Sequence, residues 1–221
     1  MAETSLVSII IVNYNGKRWL KACFDSLYRQ TYKNFEIIFV DNASKDNSVE
    51  FVKENYKKVK VIVNKDNLGF ASGNNAGLKE AKGDFVLILN NDTWVKEDLL
   101  EKLLQSFVKI PNLCCVQPKI LLAEQADKLD LCGSFWTDST LLYHYGFHKS
   151  QTDPKYNNPM PFFSNNGACM LISKKVIDEI QILLLVYFFA FCPGQHTCQS
   201  SIFERYASIA DYSDHRKQGH Q

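Results

Sequence analysis

Four continuous aliphatic runs of strand length recur within the first 90 residues: VSIIIV over 7–12, FEIIFV over 35–40, VKVIVN over 59–64 and FVLILN over 85–90. A strand with one wet face alternates apolar and polar residues, whereas a run that is apolar throughout must be covered on both faces. Between the runs lie segments with helical spacing. In KRWLKACFDSLYRQ the apolar residues are Trp19, Leu20, Cys23, Phe24 and Leu27. SKDNSVEFVKENY reads as a second helix, with residues 44–48 supplying its capping turn. KEDLLEKLLQSFVKI is amphipathic and is stopped by Pro111, and LCCVQPKILL follows as a further strand. This alternation predicts an α/β fold, a doubly wound and mostly parallel sheet with helices on both faces.

Sheets of this kind bind ligands at the carboxyl ends of their strands. Here those ends carry Asn13, Asp41, residues 64–67 and residues 90–92. The fourth run stops at Asn90-Asn91-Asp92, with no turn glycine or proline among them. Two readings of Asp92 are open. As a hard oxygen ligand at a crevice it suits Mg²⁺ or Mn²⁺, whose shell is completed by waters and substrate phosphates. Alternatively, Asp92 or Thr93 caps the next helix. Asp41, in VDNASKDNS, either accepts a hydrogen bond from a base N–H or ribose hydroxyl, or closes an Asx-turn. NLGFASGNNAGL is glycine-rich and opens a helix, so its backbone can approach a phosphate or nucleoside. It is not G-x-G-x-x-G, so the dinucleotide fingerprint is absent.

The 221 residues suffice for one sizeable domain. A net charge of +1 provides neither a nucleic-acid footprint nor a polybasic membrane patch. Seven cysteines without a C-x-x-C pair argue against a zinc ribbon and fit a reducing cytosol. The N-terminus lacks a basic n-region and reads as a strand, not a signal peptide. The run ILLLVYFFAFC, eleven residues, is short of the roughly 20 that cross a bilayer as a helix. Neither G-x-S-x-G nor G-x-x-x-x-G-K-[ST] occurs. His144 and His148 stand at i, i+4, a spacing that holds zinc on a helix. Gly146 and the neighbouring aromatics predict a strand or loop there, with a binding-surface or structural role. Residues 129–161 give no clear pattern. A strand near 168–172 and a helix from 173 follow.

Taken together, VSIIIVNYNGKRWLKACFDSLYRQTYKNFEIIFVDNASKDNS, NLGFASGNNAGLKEAKGDFVLILNNDT and NNGACMLISKKVID resemble family-two glycosyltransferases of the GT-A fold, above all the rhamnosyltransferase-like members. The resemblance covers about residues 5–180. It implies transfer of a sugar from a nucleotide-diphosphate donor to an acceptor hydroxyl, with inversion, in cell-surface glycan synthesis. It implies that Asn13 and Asp41 lie along the nucleoside, and that the loop carrying Asn67, Gly69 and Asn75 closes over base and ribose. Asn90-Asn91-Asp92 matches the relaxed D-x-D motif, with Asn91 beside the donor and Asp92 holding Mg²⁺ or Mn²⁺ on the diphosphate. The partners implied are the donor and a glycan or lipid-linked acceptor, in the cytoplasm or on the cytoplasmic face of a membrane.

One element departs from the family. An acidic pair, Glu-Asp followed by Asp-Leu, is expected after an aromatic segment downstream of GACMLIS. YFFAFC is present, but Pro193-Gly194-Gln195 follows it. The catalytic base is therefore unassigned; Glu204, Asp211 and Asp214 fit no pattern. We read residues 1–180 as a GT-A domain and 181–221 as a divergent or frameshifted tail. Two other functions stay open: a non-catalytic nucleotide-sugar binder and a sugar nucleotidyltransferase. The latter would want a basic glycine-rich triphosphate loop after strand one, where NYNGKRW offers Gly16, Lys17 and Arg18.

Overall fold

A computed structural model of the chain describes residues 4–136, 142–161, 167–180 and 202–209. The elements run β1 (Val7–Asn13), α1 (Lys17–Tyr28), β2 (Phe35–Asp41), α2 (Ser48–Asn55), β3 (Lys60–Val63), α3 (Gly69–Leu78) and β4 (Phe85–Asn90). They continue with β5 (Thr93–Val95), α4 (Leu99–Lys109), β6 (Cys115–Leu122), β7 (Leu129–Leu131), β8 (Ser134–Trp136), β9 (Leu142–His144), β10 (Cys169–Ser173), α5 (Lys174–Ile180) and β11 (Ile202–Ile209). The main sheet has the order β3-β2-β1-β4-β10-β6-β11-β5, with β7 pairing beside β6. β1 to β4 are mutually parallel, and β10 runs antiparallel between β4 and β6. β8 and β9 form a separate two-stranded ribbon.

The runs of β1, β2 and β4 are covered on both faces, as their pattern demands, whereas β3 at the edge of the sheet is only partly covered and leaves Val63 exposed. Val7, Ile9 and Ile11 point to one side with Phe39, Leu87 and Leu89, against Leu20, Phe24 and Leu27 of α1 and Leu100 and Leu103 of α4. Ile10 points to the other with Ile38, Val40 and Ile88, under Leu78 of α3. α3 lies unusually near the sheet. A Cβ on Gly73 would stand 2.7 Å from a Val12 methyl, and one on Gly77 would stand 2.6 Å from an Ile10 methyl. These glycines, four apart on one helical face, set that approach.

Helix capping differs from the expectation. α4 starts at Leu99 with Asp98 as its N-cap residue, and Thr93 begins β5. Neither Asp92 nor Thr93 caps a helix, because Thr93 opens the strand β5 and α4 starts only at Leu99. At α2 the N-cap residue is Asn47, in the left-handed region at φ 59°. The side chain that serves the turn is Asp46. It accepts from the Ser48 backbone N–H at 3.1 Å and from the Lys17 N–H at 2.8 Å, tying α2 to the start of α1. The sequence assigned no element to residues 202–209; their backbone forms β11, parallel to β6 and antiparallel to β5.

Three buried thiols give the fold a pH signature. Burial pushes Cys23, Cys132 and Cys169 up, Cys132 to about 12. A folded-state value above the unfolded one leaves stability complete below the unfolded thiol pKa and erodes it as pH rises beyond. Melting temperature is therefore expected to hold up to about pH 8 and to fall progressively above about pH 9. A calorimetric series across that range checks this; a flat alkaline limb would contradict it.

Candidate functional site

The parallel register brings Asn13 level with Asp41, and Val12 level with Asn90. The carboxyl ends of β2, β1 and β4 thus form one edge. Asn13 is 1% exposed and is bonded on both sides. Its Nδ2 donates to Asp41 Oδ1 at 2.9 Å and to Ser44 Oγ at 3.0 Å. Its Oδ1 accepts from Asn91 Nδ2 at 2.6 Å. Three strand ends, distant in sequence, are joined through Asn91, Asn13 and Asp41.

Asp41 is fully buried, and its second oxygen accepts from the Ser44 backbone N–H at 2.8 Å. The turn reading of this residue therefore holds. It does not compete with a ligand role, because an ionised carboxylate offers about four acceptor sites and two are used here. Asn42, the next residue, donates to the Gly69 carbonyl at 3.0 Å and accepts from Asn64 Nδ2 at 2.8 Å. The glycine-rich segment is thereby tied to the same edge.

That segment turns into α3 through Asn67, whose Oδ1 accepts from the Gly69 N–H at 3.0 Å. Gly69 sits at φ +75°, a left-handed conformation that glycine adopts without strain. Asn75 lies one turn and a half into α3, with a buried Oδ1 that has no hydrogen-bond partner among the described residues. Asn74, which the sequence did not single out, has the same orphan oxygen and is 1% exposed. Its Nδ2 donates to the Phe70 carbonyl at 2.9 Å.

Gly16 is the other residue that sequence reasoning missed as part of the site. A Cβ there would stand 2.1 Å from Asn91 Nδ2 and 2.6 Å from Asn13 Oδ1. Only a missing side chain lets Asn91 reach Asn13. Its place in a turn cluster hid this, since the clash is with residues of two other segments. Gly16→Ala is expected to break the Asn91–Asn13 bond and lower stability by about 1–3 kcal/mol. Denaturant unfolding measures this, and a loss under about 0.5 kcal/mol, the range of an ordinary surface change, would contradict it.

Asp92 lies two residues past the end of β4 and is 9% exposed. Thr93 Oγ1 stands 3.5 Å from its Oδ1. The carboxylate also lies near the Cys23 thiol; burial chiefly, and then the Asp92 charge, hold that thiol protonated. The donor that reaches the end of this strand is a carboxylate, a hard oxygen suited to Mg²⁺ or Mn²⁺. Among the described residues no group of three His, Cys, Asp or Glu is gathered to hold an ion. The arrangement fits a divalent cation that takes one protein carboxylate and draws its other ligands from phosphates and water. It does not fit an all-protein cage.

His144 ends β9, and His148 lies in a turn at φ 56°. They are not on a helix, as Gly146 led us to expect. Glu204 falls within β11, while Asp211, Asp214 and the YFFAFC segment lie outside the described residues. Among the described residues no helix is long and apolar enough to cross a membrane.

The sequence profile described as "Glycosyl transferase family 2" matches residues 8–181. An uncharacterized glycosyltransferase of Haemophilus influenzae is 39% identical over 109 residues, covering 49% of this chain and 36% of that one. Glycosyltransferase GlyG of Streptococcus pneumoniae is 36% identical over 106 residues, 46% of this chain and 35% of its own. Chondroitin synthase of Pasteurella multocida is 35% identical over 114 residues, 50% of this chain and 12% of its own. The match spans 36%, 35% and 12% of the length of these three relatives. Among solved structures, GalNAc-T7 with UDP, GalNAc and Mn²⁺ superposes with a TM-score of 0.69 at 16% identity, over 94% of this chain and 44% of that one. S. aureus TarS 1-349 gives 0.65 at 16% identity, over 96% and 62%. These two likenesses establish the GT-A architecture.

Proposed function

The chain belongs to glycosyl transferase family 2, and from that premise we propose that it moves a sugar from a nucleotide-diphosphate donor to an acceptor hydroxyl, with inversion. The observation that carries this reading is the hydrogen-bonded union of Asn91, Asn13 and Asp41 at one sheet edge. Asn13 and Asp41 hold the nucleoside. Asn67 and Gly69 shape the loop over base and ribose, and the orphan oxygen of Asn75 accepts a donor from that part of the ligand. Asn91 positions the diphosphate side of the crevice. Asp92 anchors Mg²⁺ or Mn²⁺, a choice supported by the Mn²⁺ and UDP in GalNAc-T7.

A divalent cation bound there would supply Lewis-acid relief of the charge on the leaving diphosphate. The residues of the chain do the rest. Their fixed amides and carboxylates orient the donor, and the covered sheet beneath keeps water from that side. The anomeric carbon passes through an oxocarbenium-like state, and a carboxylate must take the acceptor's proton. The acceptor is a glycan or lipid-linked sugar, in cytoplasmic synthesis of a surface polysaccharide, with peripheral contact to the membrane.

A second reading is favoured by one observation: Pro193-Gly194-Gln195 stands where the acidic pair is expected. A chain without that base binds donor and does not transfer. Titration of UDP-, GDP- and dTDP-sugars with Mn²⁺, followed by an assay of transfer and donor hydrolysis, separates the two. Turnover supports the transferase, binding without turnover supports the binder, and absence of binding to all three sinks both. Pyrophosphate release from a nucleoside triphosphate would instead indicate a nucleotidyltransferase.

A further inference from the structure

The turn after β9 carries an unusual surface. Phe147 is 52% exposed, and the His148 ring meets it edge-on at 4.3 Å between centroids. Partial burial chiefly pushes the Asp130 carboxyl of β7 up, and His144 and His148 lie close enough to oppose that rise. Asp130 alternates with buried Leu129 and Leu131, so it faces away from the small core beneath. The turn is pinned: the Phe147 N–H donates to the His144 carbonyl at 3.3 Å, and the His148 N–H to the Leu129 carbonyl at 2.9 Å. Gly146 at φ +85° and His148 at φ 56° complete its shape.

Topology places β7, which carries Asp130, at the crevice end of the sheet. β6 runs parallel to β4, because each is antiparallel to β10. Counting along the registers, Lys119 of β6 stands level with Ala168 and Asn90. Residues 120–122 therefore extend past the end of β4, where β7 pairs with them. Ile120, Leu131 and Ala168 pack together at that level. Asp130 is thus next to a residue in contact with the start of β10, on the crevice side of the sheet.

We propose that Phe147, His144, His148 and Asp130 form a platform for one pyranose ring of the acceptor. The inference rests on the transferase reading above. A pyranose has an apolar C–H face and a rim of hydroxyls; the surface offers one open phenyl ring rimmed by two imidazoles and a carboxylate. The four groups offer one carboxylate and two imidazoles to a ring's hydroxyls; Lys128 and Lys149 flank them in sequence, so binding to an anionic surface is a separate outcome of the test. A stable protein partner would cover about 800 Å² on each side, far more than one phenyl ring and its rim.

The test is a titration followed by the aromatic and imidazole NMR signals of Phe147, His144 and His148. The probes are the methyl glycopyranosides of rhamnose, glucose, galactose and N-acetylglucosamine, with sorbitol as an open-chain polyol of similar hydroxyl content. At least one pyranoside is expected to shift these signals while sorbitol does not. Phe147→Ala and, separately, Asp130→Asn are expected to weaken that binding by about tenfold or more. Circular dichroism reports folding, and because the two changes touch different elements, one unfolded variant leaves the other decisive. No shift with any pyranoside, an equal response to sorbitol, or unchanged affinity in the folded variants overturns the proposal. So does loss of self-association, or of binding to vesicles of phosphatidylglycerol, in Phe147→Ala without an effect on glycoside. UDP, GDP and dTDP titrated in parallel keep the two ideas apart: if none binds, the donor reading fails, whereas nucleotide binding with silent glycosides fails the platform alone.

Discussion

Asp92→Ala is expected to abolish Mn²⁺-dependent binding of nucleotide-diphosphate sugar, by about 100-fold or roughly 2.7 kcal/mol in affinity. Among the described residues no group of three His, Cys, Asp or Glu is gathered at this corner, and the other carboxylate of the edge, Asp41, is engaged by Asn13 and the Ser44 N–H. Asp92→Asn keeps an oxygen but loses the charge and should fall nearly as far. The fold is expected to survive both changes, since Asp92 lies beyond the end of β4, in the link to β5, and caps no helix. Removal of the charge should also let the Cys23 thiol drift down toward its ordinary range, though burial, the larger cause, remains. Calorimetric titration with and without Mn²⁺, beside thermal melts, checks each part. Unchanged donor affinity in a folded variant would sink the assignment.

The second large effect concerns stability and leaves the crevice untouched. Gly83 precedes β4, at the end of the sheet opposite the candidate site. A Cβ there would lie 2.6 Å from the Leu6 carbonyl oxygen, 2.6 Å from the Ser8 nitrogen and 2.8 Å from the Phe85 carbonyl oxygen. All three are backbone atoms, which have no rotamer through which to yield. The Gly83 N–H also donates to Ser8 Oγ at 2.8 Å, in a buried position. Gly83→Ala must displace a strand, and about 3 kcal/mol of destabilisation is expected. For a domain of this size that is a fall in Tm of about 6–12 °C. Gly69→Ala is the instructive contrast: no atom lies within 4 Å of its added Cβ, and only the φ of +75° opposes it. That change should cost about 1 kcal/mol. A melt in which Gly69→Ala is the more damaging of the two would refute this ranking.

The strands and their two-sided burial were legible because aliphatic continuity reports coverage directly: β1, β2 and β4 fall within a residue of their runs. β5 was not legible, since three residues, Thr93–Val95, carry no period. The ribbon of β8 and β9 was hidden for a similar reason. Its residues pair with each other and with a short satellite core, including Leu129, Cys132 and Tyr156, and leave no stripe in the sequence. At the site, residue types marked Asn13, Asp41, Asn91 and Asp92 as polar strand ends. Which of them touch depends on strand order, and no local pattern states that order. Gly16 and Asn74 escaped because one acts by having no side chain and the other looks like any helical amide. The helix-cap reading of Asp92 was chemically sound and failed on length, since β5 separates it from α4.

Asn13 is held with its carbonyl toward Asn91 and its amino group toward Asp41, so the row has a polarity that cannot be reversed at one position alone. An aspartate at 13 would set two anions face to face, and an aspartate at 91 would present an acceptor to an acceptor. Mutations at these three strand ends are therefore expected to be epistatic. A library that varies them singly will report them all as intolerant, while paired changes that invert donor and acceptor together reach new ligand preferences that single steps cannot.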